Sequence, residues 1–328
     1  MRGLQRGLFL LAAAVLLVAS LGVEAQQAGK VHRIGAIHPC IPPATTSSYP
    51  VLQQALHDLG YIEGRNLTLD RECFQRAEQA PAIIGRFLEH KVDVIVVWSG
   101  PGAAAAKKLT STVPIVFIDA ADPIGIGLVA SLARPGGNAT GISSIASELA
   151  TKRLQLLKEA VPRAARVVVL ANPTNQSTAS QLEGLNDAAR ALGVTLGVLK
   201  IRTSAEIDEV FLDVIKERPD AALVLADPLF FTEQVRVVGN AARARVPTMY
   251  SHTNFAMSGG LLAYAPNLPG MSPTAAGYVD KILKGARPAD LPVQQPTKFD
   301  LVINLKTAKQ LGIAVPQTIL LRAERVIE

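Results

Sequence analysis

The strongest constraint on this chain is a rhythm. Short apolar runs rich in β-branched residues alternate with longer segments whose apolar residues recur at helical spacing. The clearest run is 92–97, VDVIVV, nearly continuous and so suited to a central strand buried on both faces of a parallel sheet. Segments 31–37 (VHRIGAI), 67–71 and 115–118 read as further strands. Between them lie helical stripes at 50–59 (Val51, Leu52, Ala55, Leu56, Leu59) and 81–90 (Ile83, Ile84, Phe87, Leu88), and an Ala-rich helix at 101–109. Strand and helix in turn, with short connections, predict an α/β fold: a doubly wound parallel sheet with helices on both faces.

The rhythm then stops and restarts. Asp122-Pro123 predicts a short helix, since Asp caps free N–H groups and Pro fits the first helical position. Arg134-Pro135-Gly136-Gly137-Asn138 follows, leading into an extended run at 140–143. Beyond it, helices at 148–160, 177–192, 205–217 and 232–244 alternate with strands at 166–170, 195–201, 221–225 and 247–250, and 260–264 is extended. Two such units predict two lobes. After the turn-rich Asn267-Leu268-Pro269-Gly270, a helix at 274–283 has no strand partner in the second unit. A chain that recrosses would lend it to the first lobe and return through 293–299. The expected division is a signal segment at 1–25, a first lobe of 29–142 plus 267–294, and a second lobe of 143–266 plus 295–328. Three chain segments would form the hinge.

The signal segment is read from Arg2 and Arg6, the uncharged stretch 7–23, and the small-residue triplet Val23-Glu24-Ala25. Cleavage near Ala25 would send the protein to the periplasm. The remaining chain carries scattered Lys and Arg with no basic run, so no nucleic-acid partner is expected. It is expected to be a monomer. Its two cysteines, Cys40 and Cys73, each follow a predicted strand. In a sheet of order 2-1-3-4-5 these strands are neighbours, so the sulfurs could meet; two free buried thiols are the alternative.

Neither a G-x-S-x-G elbow, H-E-x-x-H nor C-x-x-C occurs. No catalytic residue, metal or cofactor is therefore expected. Gly125-Ile126-Gly127-Leu128-Val129-Ala130 matches a dinucleotide fingerprint, but Asp122 stands where a pyrophosphate would lie and the motif follows the fourth strand rather than the first.

Open α/β sheets bind ligands beyond the carboxyl ends of their strands, and two such sheets face to face make a concave site. The loops there supply the candidate ligand contacts: Ser48, Trp98, Ser99, Gly100, Asp119, Asp122, Ser143, Asn172, Gln176, Asp227, Tyr250, Asn254 and Tyr264. For Trp98 the alternative is a core position; for Asp122 and Asp227 it is helix capping. Asp122-Pro123, Asn172-Pro173 and Asp227-Pro228 repeat one junction, a strand turning into a helix whose N-terminus faces the crevice.

Several stretches carry a resemblance: RIGAIHP, LHDLGYIEGRNLTLD, KVDVIVVWSGPGAAAAKK, VPIVFIDAADPIGIGLVASLARPGGNATGIS, NPTN, ADPLFF, GGLLAYAPN and YVDKILKGARPADLPVQQPTKFDLVINLKTAKQLG. In order, and over nearly the whole chain after the signal segment, they resemble the ABC-transporter substrate-binding protein family that includes tryptophan-binding members. The resemblance implies a type I periplasmic-binding fold, a small-molecule ligand closed between two lobes, and delivery to a membrane permease. It also implies that positions similar to Ser99, Gly100, Asp122, Asn172 and Asp227 hold an amino-acid ligand. Two features differ from the family: His38-Pro39-Cys40 replaces a Gly/Ser-containing turn, and Trp98 is large for its position. An exported sensor domain for a membrane receptor would share this fold and cleft.

Overall fold

The computed structural model describes residues 30–40 and 48–328. The expected signal segment, 1–25, lies outside them. Four parallel strands open the fold: β1 (His32–Pro39), β2 (Leu67–Phe74), β3 (Val94–Trp98) and β4 (Ile115–Ala120). With β5 (Ala139–Ser143) they form one sheet of order β2-β1-β3-β4-β5. Helices α1 (Tyr49–Asp58), α2 (Ala80–Glu89) and α3 (Gly100–Leu109) connect them.

Strand β3 shows why the sheet is covered on both sides. Val94 and Val96 face a cluster containing Leu52 and Leu56 of α1, while Ile95 and Val97 face one containing Ile83, Ile84 and Phe87 of α2. Each such side chain contributes about 1.5–3 kcal/mol when fully buried. Gly141 on β5 is required by its place: its φ is +151, and a Cβ there would sit 2.0 Å from the Phe117 carbonyl oxygen on β4.

The second lobe holds α4 (Ala146–Ala160), β6 (Arg166–Ala171), α5 (Thr178–Leu192), β7 (Thr195–Lys200), α6 (Ser204–Glu217) and β8 (Ala221–Val224). It continues with α7 (Pro228–Thr232), α8 (Gln234–Arg243), β9 (Thr248–Tyr250), α9 (Thr253–Met257) and β10 (Leu262–Pro266). After α10 (Leu268–Leu283) come β11 (Phe299–Asn304), α11 (Leu305–Leu311), α12 (Gln317–Leu320) and β12 (Arg325–Ile327). The sheet order is β12-β11-β10-β9-β8-β6-β7. All its pairs are parallel except β10 with β11, which is antiparallel.

Helix α10 packs back on the first sheet, placing Met271, Ala275, Tyr278, Val279 and Ile282 against Leu52, Leu56, Val94 and Val96. The chain thus crosses between the lobes three times: after Ser143, between Pro266 and Leu268, and between Gln294 and Phe299. Two of these crossings are tied together. Gln294 pairs with Ile142, Ser143 donates its N–H to the Gln294 carbonyl at 2.9 Å, and Gln294 donates to the Gly141 carbonyl at 3.0 Å.

Two local expectations are corrected, and one is extended. The helix expected at Pro123 is a single turn, because Gly127 enters the left-handed region (φ +73) and ends it. Helix α10 starts at Leu268 rather than 274, since Asn267 accepts the Gly270 N–H at 2.7 Å and Pro269 fits the first turn. The helix expected at 232–244 is present as α8 (Gln234–Arg243), and a further short helix, α7, precedes it, started by the cap of Asp227.

Cys40 and Cys73 form a disulfide. His38 and Cys73 are partners in the β1–β2 ladder, which brings the two sulfurs to one edge of the sheet.

Candidate ligand-binding site

The carboxyl ends of the two sheets face each other across a cavity of about 990 Å³ of unfilled space, part of it open to solvent. From the first lobe it is lined by His38, Ser48, Tyr49, Trp98, Ser99, Gly100, Asp119 and Ala121; from the second by Asn175, Ser177, Asp227, Phe231, His252 and Asn254. Ser144, Pro266, Leu268, Pro269 and Asp300 complete it near the crossings.

Trp98 is the last residue of β3 and is both core and wall. Its ring stands edge-on to His38, with centroids 6.2 Å apart, and lies 6.3 Å from Tyr49. Trp98 is 7 % exposed, and among the described residues its Nε1 has no hydrogen-bond partner. Next in the chain, Ser99 caps α3, its Oγ accepting the Gly102 N–H at 3.1 Å. Across the cavity, Phe231 and His252 form the second aromatic wall, with centroids 4.7 Å apart.

Asp119 owes its position to a break in the ladder. Ile118 pairs with Ile142 and Ala120 with Ser143, so Asp119 is left out of register with φ +64. Aspartate tolerates this left-handed conformation better than most residues. Burial raises its carboxyl to about 6, against the hydrogen bond from Ser144 and the charge of Arg153, which lower it. Arg153 of α4 is itself buried, donating from Nε to the Tyr264 carbonyl at 2.7 Å and from Nη2 to the Ser251 carbonyl at 3.2 Å. His252 Nε2 lies 3.9 Å from Asp119 Oδ2, an approach between the lobes. Burial, then the charge of Arg153, lower the His252 imidazole to about 3, so it is neutral at physiological pH.

Asp227 caps α7, taking the Leu229 N–H at 2.7 Å, and is 5 % exposed. Asn175 donates to its Oδ2 at 2.7 Å and Asn172 to its Oδ1 at 3.3 Å. Burial outweighs these donors and raises Asp227 to about 6.

Seven of the residues expected from sequence meet in the cavity: Ser48, Trp98, Ser99, Gly100, Asp119, Asp227 and Asn254. The other six stand elsewhere. Asp122 closes its own turn through the Gly125 N–H at 2.8 Å, and Ser143 Oγ donates to the Ala120 carbonyl. Asn172 stands behind Asp227, and Gln176 lines a separate groove with Pro81 and Pro101. Tyr250 is in the core, stacked on Phe255 at 4.9 Å, and Tyr264 stacks on Phe299. The shared Asp/Asn-Pro junction is a shared cap: the side chains take the N–H of Gly125, Thr174 and Leu229, and only Asp227-Pro228 starts a helix directly.

Phe231 and Asp300 were not expected in the wall. Asp300 escaped a search of strand carboxyl ends because β11 runs antiparallel, which puts its first residues at the cleft. Phe231 sits within ADPLFF, where only the aspartate signals a site.

The family described as ABC transporter substrate binding protein matches residues 33–327. The chain belongs to that family. A tyrosine-binding protein from Clostridioides difficile (strain R20291) is 29 % identical over 264 residues, covering 79 % of this chain and 75 % of that protein. The structure of an ABC domain in complex with L-Trp from Streptococcus pneumonia is 25 % identical, covers 90 % of this chain and 99 % of that one, and superposes with a TM-score of 0.84. The ligand-free, open structure of a substrate binding protein with adhesive properties from Clostridium difficile, 26 % identical with 90 % and 99 % covered, gives 0.66. At nearly equal identity and coverage the chain matches the ligand-bound structure better. Within this family member the lobes accordingly touch: Thr232 Oγ1 of the second lobe donates to the Gln75 carbonyl of the first at 3.2 Å. Among the described residues no helix is long and apolar enough to cross a membrane.

Proposed function

We propose that this protein is a periplasmic receptor that closes its two lobes on a small polar molecule, an amino acid or a related compound, and delivers it to an ABC-transporter permease. The observation that carries this reading is the cavity itself, with Trp98, Ser99 and Asp119 contributed by one lobe and Asp227, Phe231 and His252 by the other. A ligand touching both walls favours the closed arrangement by its differential affinity for that state. The relatives named for tyrosine and L-Trp support a ligand of amino-acid size. The protein binds and releases its ligand unchanged. The ligand-contact set is the seven sequence-expected residues in the cavity together with Tyr49, Phe231 and His252.

Native mass spectrometry of gently purified protein tests the reading. The expected result is a bound small molecule that denaturation releases intact and that quenches or shifts Trp98 fluorescence when returned. Chemical turnover of that molecule, or a fluorescence signal indifferent to it, would overturn the proposal.

A further inference from the structure

The formal charges on the cavity wall are of one sign. Asp119, Asp227 and Asp300 line it, and no Lys or Arg does among the described residues. Residues 41–47, IPPATTS, contain no charged side chain either. The cations nearby are engaged outside the wall. Arg153 lies behind Asp119 and bonds the Tyr264 and Ser251 carbonyls; Arg71 lies over the Tyr49 ring at 4.7 Å; Lys298 acts on Asp300 beside Asn267, which donates to it at 2.9 Å. The hydrogen bonds to Asp227 come from uncharged donors, Asn172, Asn175 and backbone N–H groups. A buried carboxylate without a cation is costly, and a ligand ammonium would relieve it.

At two of the helix N-termini on the wall, seats for an anion are filled from within. A helix N-terminus is the usual one. At α3, Ser99 Oγ already takes the Gly102 N–H, and Pro101 has none to give. At the head of α7, Asp227 takes the Leu229 N–H, and Pro228 has none. A ligand carboxylate would meet no cationic side chain on the wall and would lie among three aspartates.

The rest of the wall suits a flat cation. Trp98 on one side and Phe231 on the other line the cavity with aromatic rings, which attract ammonium groups.

We infer that the ligand is an organic monocation, an amine on a flat apolar body with no free carboxylate. The inference rests on the receptor reading above and narrows it. Calorimetric titration of the purified, dialysed protein at pH 7.5 with tryptamine, tryptophan and tryptophol separates the charge classes on one ring system. Tryptamine is expected to bind at least tenfold tighter than both others. Equal or tighter binding of tryptophan overturns the inference and leaves the receptor reading in place. Equal binding of tryptophol overturns it too, because charge would then not decide. Binding of none of the three rejects an aromatic monocation, while the co-purified molecule still judges the receptor reading by itself.

Discussion

Replacing His252 by Gln should change how the protein responds to acid. The folded imidazole titrates near 3, against about 6.5 for an unfolded histidine, so the unfolded chain takes up the proton first as pH falls. Stability from this group is complete above pH 6.5 and is lost on the way down to about 3. Each pH unit in that window costs about 1.4 kcal/mol, or roughly 2 kcal/mol between pH 6.5 and 5. Asp119 and Asp227 work the other way. Their folded values near 6 exceed the ordinary carboxylate value of 3.8, so the folded state binds their protons first and gains stability as pH falls. Together they contribute roughly 2 kcal/mol over the same span, which leaves the ligand-free protein nearly flat. The His252→Gln variant lacks the opposing loss and should gain about 2 kcal/mol between pH 6.5 and 5. Urea unfolding of both proteins at the two pH values measures it. If Asp119 holds a protonated His252 as an ion pair across their 3.9 Å separation, the two proteins will respond alike, and the reasoning is refuted.

Reducing the Cys40–Cys73 disulfide, which spans a sequence separation of 33, should lower unfolding stability by about 4 kcal/mol on the chain-entropy account; unchanged urea midpoints with and without reductant would contradict this. Asn172→Ala removes a donor from buried Asp227 and should weaken ligand binding by about 1–3 kcal/mol, whereas Asp122→Ala, outside the cavity, should leave it unchanged. Titration of both variants with the co-purified ligand decides, and equal losses would place the wall elsewhere.

The sheets were legible because burial on two faces leaves a run such as VDVIVV little else to be. The site was most legible where a strand, or the turn that follows it, ends at the cleft, as at Trp98 and Asp227. Strand parity hid the rest. On β9, Met249 and Tyr250 point to opposite sides of the sheet, and Tyr250 falls on the side of Phe255 and Phe211. Nothing in the local pattern says which side meets the cleft. Likewise, Asp300 could be placed only once β11 was known to run against its neighbour. The contact between His252 and Asp119 joins residues that are brought together by docking of the lobes, beyond the reach of periodicity.

The return of α10 to the first sheet has a consequence for the order of synthesis. When residues up to 150 have emerged, β1–β5 are complete, but the face carrying Val94, Val96, Val116 and Ile118 lacks the helix that covers it alongside α1. That cover comes at Leu268–Leu283, after the whole run from α4 to β10 has been made. The earliest part of the chain is therefore among the last to be sealed. A polypeptide that must cross a membrane unfolded gains time from such an arrangement, since its leading half cannot finish before its trailing half arrives.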